Sequence, residues 1–336
     1  MSQYSYLSTP DPEFADVLAK LPPQPALSES GDISLIRAGF KEAVGEHDKH
    51  LQSRLPLASA YTMKDHKIPV EGGEIVARCV VPAPSADKSF PVLVWFHGGG
   101  WTLGDVHTDD YRLRMLCVAL QISIVNVDYR LAPEHVYPTA WDDSYAATKW
   151  VVEHTSLLSA ALNKGFIVAG CSAGTNLAAH IANRARDDPF FAKTPITGQY
   201  LQVPCLLDPE ADAGKYKSEL LSMEQNKDAP SLTRADIVYF AHQLKIPPSD
   251  LGLSLLLQPS HAGLPPLYAQ IAGLDPLRDE GLLYAKVLGE AGVKTKVDVY
   301  PGVPHGFNFF YSQLRLSAKL ESDVDAGVGW LLSLVA

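Results

Sequence analysis

The pentapeptide Gly170-Cys171-Ser172-Ala173-Gly174 places one serine among small neighbours. The apolar, β-prone run Phe166-Ile167-Val168-Ala169 leads into it, and Thr175-Asn176-Leu177-Ala178-Ala179-His180-Ile181-Ala182, a good helix former, leads out. A sharp turn between strand and helix strains the serine backbone and lifts its Oγ above the sheet; only small residues fit around such a turn. The chemistry this allows is nucleophilic. A serine hydroxyl is a weak nucleophile near neutral pH. It needs a base within hydrogen-bond reach, a group that orients the base, and donors for the oxyanion that forms.

The donors come from a second stretch. His97-Gly98-Gly99-Gly100 directly follows an apolar run at residues 91–96. Consecutive glycines let backbone N–H groups point into a site with no side chain in the way. Gly99, Gly100 and Ala173 are therefore the candidate oxyanion donors. The phosphate-loop pattern G-x-x-x-x-G-K-S/T is missing, so the glycines do not read as a nucleotide loop. His97 precedes the serine and is read as fixing the loop. The acid and base belong after the serine, in the order Ser, Asp, His. Asp275 follows the β-prone residues 267–272, and His305 follows 295–300 inside Pro301-Gly302-Val303-Pro304-His305-Gly306-Phe307. Both fall at carboxyl ends of expected strands, where open α/β sheets build their sites. The catalytic set is thus Ser172, Asp275 and His305. Asp279 is the rival acid, better read as a helix N-terminal charge; His261 has no strand before it. His154, His180 and His242 fall on expected helices and are read as surface residues.

No metal ligand set is present: there is no H-E-x-x-H motif, and Asp109-Asp110 and Asp142-Asp143 read as solvated or capping pairs. No G-x-G-x-x-G opens a helix after an early strand, so a dinucleotide is not expected either. The acyl-transfer chemistry needs no cofactor.

Elements that could position these residues alternate along the chain. Apolar strands are expected at residues 75–81, 91–96, 122–127, 166–169, 199–203, 267–272 and 295–300. Helices are expected near 111–120, 140–154, 280–291 and 312–334. Such alternation predicts an α/β fold, a mostly parallel sheet with helices on both faces. Residues 1–50 are broken by Pro10, Pro12, Pro22, Pro23 and Pro25, with helical spacing at 13–19 and 33–40. They read as an N-terminal cap segment. Residues 204–261 read as a cap insertion, with a helix at 232–240, leaving 51–203 and 262–336 as the catalytic core.

The chain has 336 residues, 46% hydrophobic and 20% charged, with net charge −10. That suits a large soluble core and argues against nucleic acid or an anionic membrane as partner. Cys79, Cys117, Cys171 and Cys205 form no C-x-x-C pair and suggest neither disulfide nor zinc site; Cys117 and Cys205 sit in apolar runs. The N-terminus lacks a basic and then apolar leader, and no apolar run would span a bilayer, so a cytoplasmic location is expected.

Five blocks, His97-Gly98-Gly99-Gly100-Trp101, Asp128-Tyr129-Arg130-Leu131-Ala132-Pro133-Glu134, Gly170-Cys171-Ser172-Ala173-Gly174, Asp275-Pro276-Leu277-Arg278-Asp279-Glu280-Gly281 and His305-Gly306-Phe307, stand in the order seen in the hormone-sensitive-lipase-like α/β-hydrolases. The chain resembles that family over about residues 60 to 335. The resemblance implies an α/β-hydrolase fold with a helical cap, a Ser172–Asp275–His305 triad, and an oxyanion hole from Gly99, Gly100 and Ala173. It implies a serine carboxylesterase acting on a small-molecule ester with a short or medium acyl group, including acetyl groups of secondary metabolites or xenobiotic esters. Dimerisation is common in the family, so a homodimer is compatible with it. It implies an Arg130–Glu134 pair of structural rather than catalytic meaning. Many relatives carry Asp or Thr where this chain has Cys171, which is read as a packing residue. Two other functions exist on this fold: a receptor that binds a small molecule without turnover, and an acyltransferase or lyase using the same pocket. The first lacks the triad histidine that His305 supplies here. Phe14, Phe40, Trp101, Tyr239 and Phe240 are candidate apolar wall residues.

Overall fold

A computed structural model describes residues 3–21, 26–83 and 88–335. Pro22, Pro23 and Pro25 lie outside the described residues. The N-terminal segment forms α1 (Pro12–Leu18) and α2 (Ile33–Leu51). Asp11 and Asp32 begin them, each accepting from backbone N–H groups of the first turn. The spacing at 33–40 showed only the first half of α2, because the second half, with Gly45, Glu46, Asp48 and Lys49, dilutes the apolar stripe.

The sheet strands and their helices follow: β1 (Tyr61–Val70), β2 (Gly73–Pro82), β3 (Val92–Phe96), α3 (Asp110–Leu120), β4 (Ser123–Asp128), α4 (Thr139–Glu153), β5 (Phe166–Cys171), α5 (Ala173–Asp187) and β6 (Gly198–Gln202). Next come α6 (Ser222–Gln225) and α7 (Arg234–Leu244), then β7 (Leu267–Leu274), α8 (Arg278–Glu290), β8 (Thr295–Pro304), α9 (Phe307–Phe310) and α10 (Arg315–Ser333). Among the described residues no strand lies between β6 and β7. The helix expected at 312–334 is split, with α9 directly behind His305 and α10 after it.

All eight strands form one sheet in the order β1-β2-β4-β3-β5-β6-β7-β8. β1–β2 and β2–β4 are antiparallel; the other neighbours are parallel. The α/β class and the parallel core therefore match the alternation in the sequence. β1 carried no strand signal of its own: it is an edge strand with most side chains exposed, so polar residues fill it. β3 shows why the central strands lack alternation. Val92, Val94 and Phe96 enter one core cluster, Leu93 and Trp95 the other, and all five are buried. A sheet covered on both faces requires this.

Strand order also brings the chemistry together. His97, Ser172, Asp275 and His305 sit at or just past the carboxyl ends of β3, β5, β7 and β8. Arg37 on α2 ties the N-terminal segment to this end of the sheet. It donates to both carboxylate oxygens of Glu134 at 2.7 Å and to the carbonyls of Thr102 and Ala132 at 2.9 and 3.0 Å. The expected Arg130–Glu134 pair is not formed. Arg130 binds the buried Asp143 of α4 instead, at 2.7 and 2.9 Å, because Glu134 is taken by α2.

Candidate active site

Ser172 has φ 52° and ψ −121°, outside the ordinary regions for a non-glycine residue. The turn is held from both sides: Ser172 N–H donates to the Gln202 carbonyl at 2.9 Å, and the Thr175 hydroxyl donates to the Ser172 carbonyl at 2.5 Å. The glycines are required by contact. A Cβ on Gly170 would stand 2.8 Å from the Phe96 carbonyl oxygen, and one on Gly174 would stand 2.7 Å from the His97 carbonyl oxygen. Strand β3 is thus packed against the elbow so closely that only glycine fits.

The three candidate catalytic residues meet. His305 Nε2 lies 2.8 Å from Ser172 Oγ, and His305 Nδ1 lies 2.7 Å from Asp275 Oδ2. Asp275 is buried; its second oxygen, Oδ1, accepts from Leu277 N–H at 2.9 Å. Both carboxylate oxygens are engaged, which fixes the carboxylate and through it the imidazole. The rival groups are elsewhere. Asp279 lies in the first turn of α8 but does more than complement the helix. It is buried, accepts from Arg278 at 2.8 Å and receives the N–H groups of Leu221 and Ser222 at 2.9 and 2.8 Å. His261 is buried edge-on to Tyr284, 5.6 Å between rings.

Gly99 and Gly100 have φ of +118° and +59°, and both line the serine cavity together with Ala173. Ala173 opens α5, so its N–H has no carbonyl within the helix to donate to. The loop is braced by His97. Its ring stacks on Tyr129 at 4.4 Å, its Nδ1 lies 2.8 Å from the Gly98 carbonyl, and Tyr129 donates to the His97 carbonyl at 2.8 Å.

The cavity has a volume of about 120 Å³. Its wall has two characters. One side is apolar: Leu27, Phe40, Leu232, Ile237 and Phe240, from α2, α7 and the segments before them, with Trp101. The other is polar: Thr108, Asp109, Arg112, Gln202 and Asn308, beside Cys171. Of the expected wall residues, Phe40, Trp101 and Phe240 line the cavity. Phe14 does not; it is buried against Tyr311, 5.0 Å between rings, and belongs to the opposite core cluster. Tyr239 packs edge-on to Phe240 outside it. The polar wall was not anticipated. Arg112 reads in sequence as an ordinary helix residue, and nothing local signals that its face of α3 turns inward.

Cys171 lines the cavity, and burial pushes its thiol well above the usual range. It stays a neutral thiol there. Cys117 and Cys205 are buried as expected, and burial raises both. His242 is exposed, 2.9 Å from Glu210, and His154 is half-buried on Trp150. His180 departs from the surface reading: burial, then Arg184, lower its pKa to about 4. Among the described residues no group of three or more His, Cys, Asp or Glu could hold a metal, and no helix is long and apolar enough to cross a membrane.

The fold and this geometry define an α/β-hydrolase. A family model described as alpha/beta hydrolase fold matches residues 93–309. The chain is 34% identical over 328 residues to an AB hydrolase superfamily protein of Schizosaccharomyces pombe, covering 97% of this chain and 94% of that one. It is 37% identical over 273 residues to esterase LipI of Mycobacterium tuberculosis, covering 79% and 81%. The crystal structure of vibralactone cyclase superposes with a TM-score of 0.93 at 43% identity, covering 98% of this chain and 97% of that one. The chain belongs to the hormone-sensitive-lipase-like family of carboxylic ester hydrolases.

Proposed function

We propose that the protein is a serine carboxylesterase working through an acyl-enzyme on esters with a short or medium acyl group. One observation carries the reading: Asp275, His305 and Ser172 form a continuous chain at 2.7 and 2.8 Å, beside a cavity that Gly98, Gly99 and Gly100 line. Ser172 Oγ attacks the ester carbonyl as His305 Nε2 takes its proton. Asp275 holds the imidazole in the needed tautomer and stabilises the imidazolium. Gly99, Gly100 and Ala173 donate to the oxyanion. His305 then protonates the leaving alcohol, and in the second half-reaction takes a proton from the water that releases the acid. In this reading α1, α2 and residues 204–261 form the cap, and 51–203 with 262–336 the catalytic core. Hydrolysis of p-nitrophenyl butyrate tests the esterase reading, with Ser172→Ala as the blank. Wild-type turnover no faster than the blank would sink the reading.

The likeness to a structure named as a cyclase supports a second reading, in which the same pocket closes a ring or transfers an acyl group rather than delivering water. Product analysis with and without an added acceptor alcohol separates the two.

A further inference from the structure

Arg112 is a buried charge beside Ser172 that the proposed chemistry leaves unused. It is 8% exposed, lies on α3, and lines the cavity of Ser172. Nη1 donates to Gln202 Oε1 at 2.5 Å and Nη2 to the Tyr200 hydroxyl at 2.6 Å. Among the described residues no carboxylate lies within 4.0 Å of it; Asp109 and Glu321 act on it only through space. Asp109, which lines the same cavity, has one oxygen engaged by Trp95 Nε1 at 2.8 Å.

The guanidinium is held from behind by a directed relay. Tyr200 donates to Gln270 Oε1 at 2.8 Å, Gln270 Nε2 donates to the Tyr300 hydroxyl at 2.8 Å, and Tyr300 donates to Asp323 Oδ2 at 2.9 Å. Gln270 Nε2 also donates to the Leu320 carbonyl at 3.0 Å, and the Tyr200 hydroxyl lies 3.2 Å from Gln202 Oε1, so the network is anchored to α10 and holds the two acceptors of Arg112 in place. Gln202 is fixed in turn, donating to Asn308 Oδ1 at 2.9 Å. Guanidinium has five N–H donors. Burying such a cation with donors left over is costly unless something supplies acceptors. An apolar side chain would fill this corner more cheaply. Gln202 and Tyr200 take up two of the five, and a substrate oxygen entering the cavity would be an acceptor for a remaining one.

We propose that Arg112 is a substrate-recognition residue, and that this enzyme's substrates carry a second carbonyl-type oxygen, ketone or carboxylate, besides the ester being cut. The proposal rests on the esterase reading and names its substrate class. Arg112, with Asn308 beside it, receives that oxygen at the polar wall, while the hydrocarbon part lies against Phe40 and Phe240. Asp109 sets the charge preference: it disfavours a full carboxylate relative to a ketone.

The test uses ester pairs matched in shape. In the acyl half, p-nitrophenyl 4-oxopentanoate and the p-nitrophenyl hemiester of succinate are compared with p-nitrophenyl 4-methylpentanoate. In the alcohol half, 2-oxopropyl butanoate is compared with 2-methylpropyl butanoate. A charge-assisted hydrogen bond predicts a kcat/KM ratio of about 10 to 100 in favour of an oxygenated partner in at least one half. Arg112→Met collapses that ratio towards one, and Arg112→Lys restores part of it. The ketone and hemiester arms read out which oxygen is preferred. Equal rates within both pairs, or a ratio that survives Arg112→Met, overturns the proposal. Calorimetric binding of 4-oxopentanoate and succinate to the Ser172→Ala protein, with Arg112 present or replaced, decides the question even if no ester is cleaved. Binding of neither acid, or binding indifferent to Arg112, overturns it too. Failure of hydrolysis alone counts against the esterase reading and not against this one.

Discussion

Phe240 of α7 stands over Gly100 of the glycine loop so closely that a Cβ on Gly100 would lie 2.5 Å from the Phe240 ring. The loop that supplies the candidate oxyanion donors is thus clamped by a residue from far along the chain. Gly100 also has φ +59°, which a larger residue adopts only under strain. Gly100→Ala is expected to lose about 10²–10³ in kcat through displaced donors, with a stability cost of about 1–3 kcal/mol from backbone strain. Steady-state kinetics and a urea melt check both. Adding Phe240→Ala removes the ring contacts but leaves a Cβ 2.9 Å away and the backbone strain in place, so it should recover part of the rate and little of the stability. A Gly100→Ala protein with wild-type kcat would show that this N–H takes no part.

The Asp275–His305–Ser172 chain predicts a graded loss. Ser172→Ala and His305→Ala should each lower kcat by about a thousandfold or more, and the double variant should be little worse, since the residues act as a unit. Asp275→Asn should cost about 10⁴ by favouring the wrong imidazole tautomer. Additive losses on a short-chain ester would mean that the residues act separately.

Much of this was legible in the sequence because it is carried by local rules. The elbow needs glycines at fixed offsets, the oxyanion loop needs them in a row, and Asp275 and His305 each follow a recognisable strand. What was not legible depends on which face of an element turns inward after packing. Arg112 is two residues past the Asp109-Asp110 pair, on a helix of weak amphipathicity, and its burial is decided by Tyr200 and Gln202 on β6. Phe14 looked like a cap wall residue, yet its ring is buried against Tyr311, in a different core cluster from Phe240. Glu134 lies beside Arg130 in sequence but faces α2, so its partner is Arg37, 97 positions away. β1 was hidden because an exposed edge strand has no reason to be apolar.

The Arg37–Glu134 contact yields its own expectation. The hydrogen bond from Arg37 holds the Glu134 carboxyl down at about 2. A depressed carboxyl stabilises the fold above its unfolded pKa and loses that contribution as pH falls towards 2. Glu134 is half exposed, so screening limits the pair to under about 1 kcal/mol. Arg37→Ala should cost more than Glu134→Gln, because it also gives up the bonds to Thr102 and Ala132. Limited proteolysis of the N-terminal segment and thermal melts would show this order. Equal effects would mean that only the ion pair matters.

Glu280 predicts a pH dependence of opposite sign. It is buried in α8, and Oε2 accepts from Leu206 and Leu207 N–H at 2.7 and 3.0 Å. Burial raises its pKa to about 8 despite these bonds, with Asp275 and Asp208 pushing the same way. Between the unfolded value, about 4.5, and about 8 the folded protein holds a proton that the unfolded chain has released. The protonated carboxyl therefore contributes stability that is complete below about 4.5 and is lost as pH rises through about 8. Glu280→Gln keeps an oxygen for the two backbone donors and does not titrate. Its Tm relative to wild type should therefore climb steadily between pH 5 and about 8 and level off above. A difference that stays flat across that range would mean that Glu280 is ionised in the folded protein, its charge carried by the Leu206 and Leu207 amides alone.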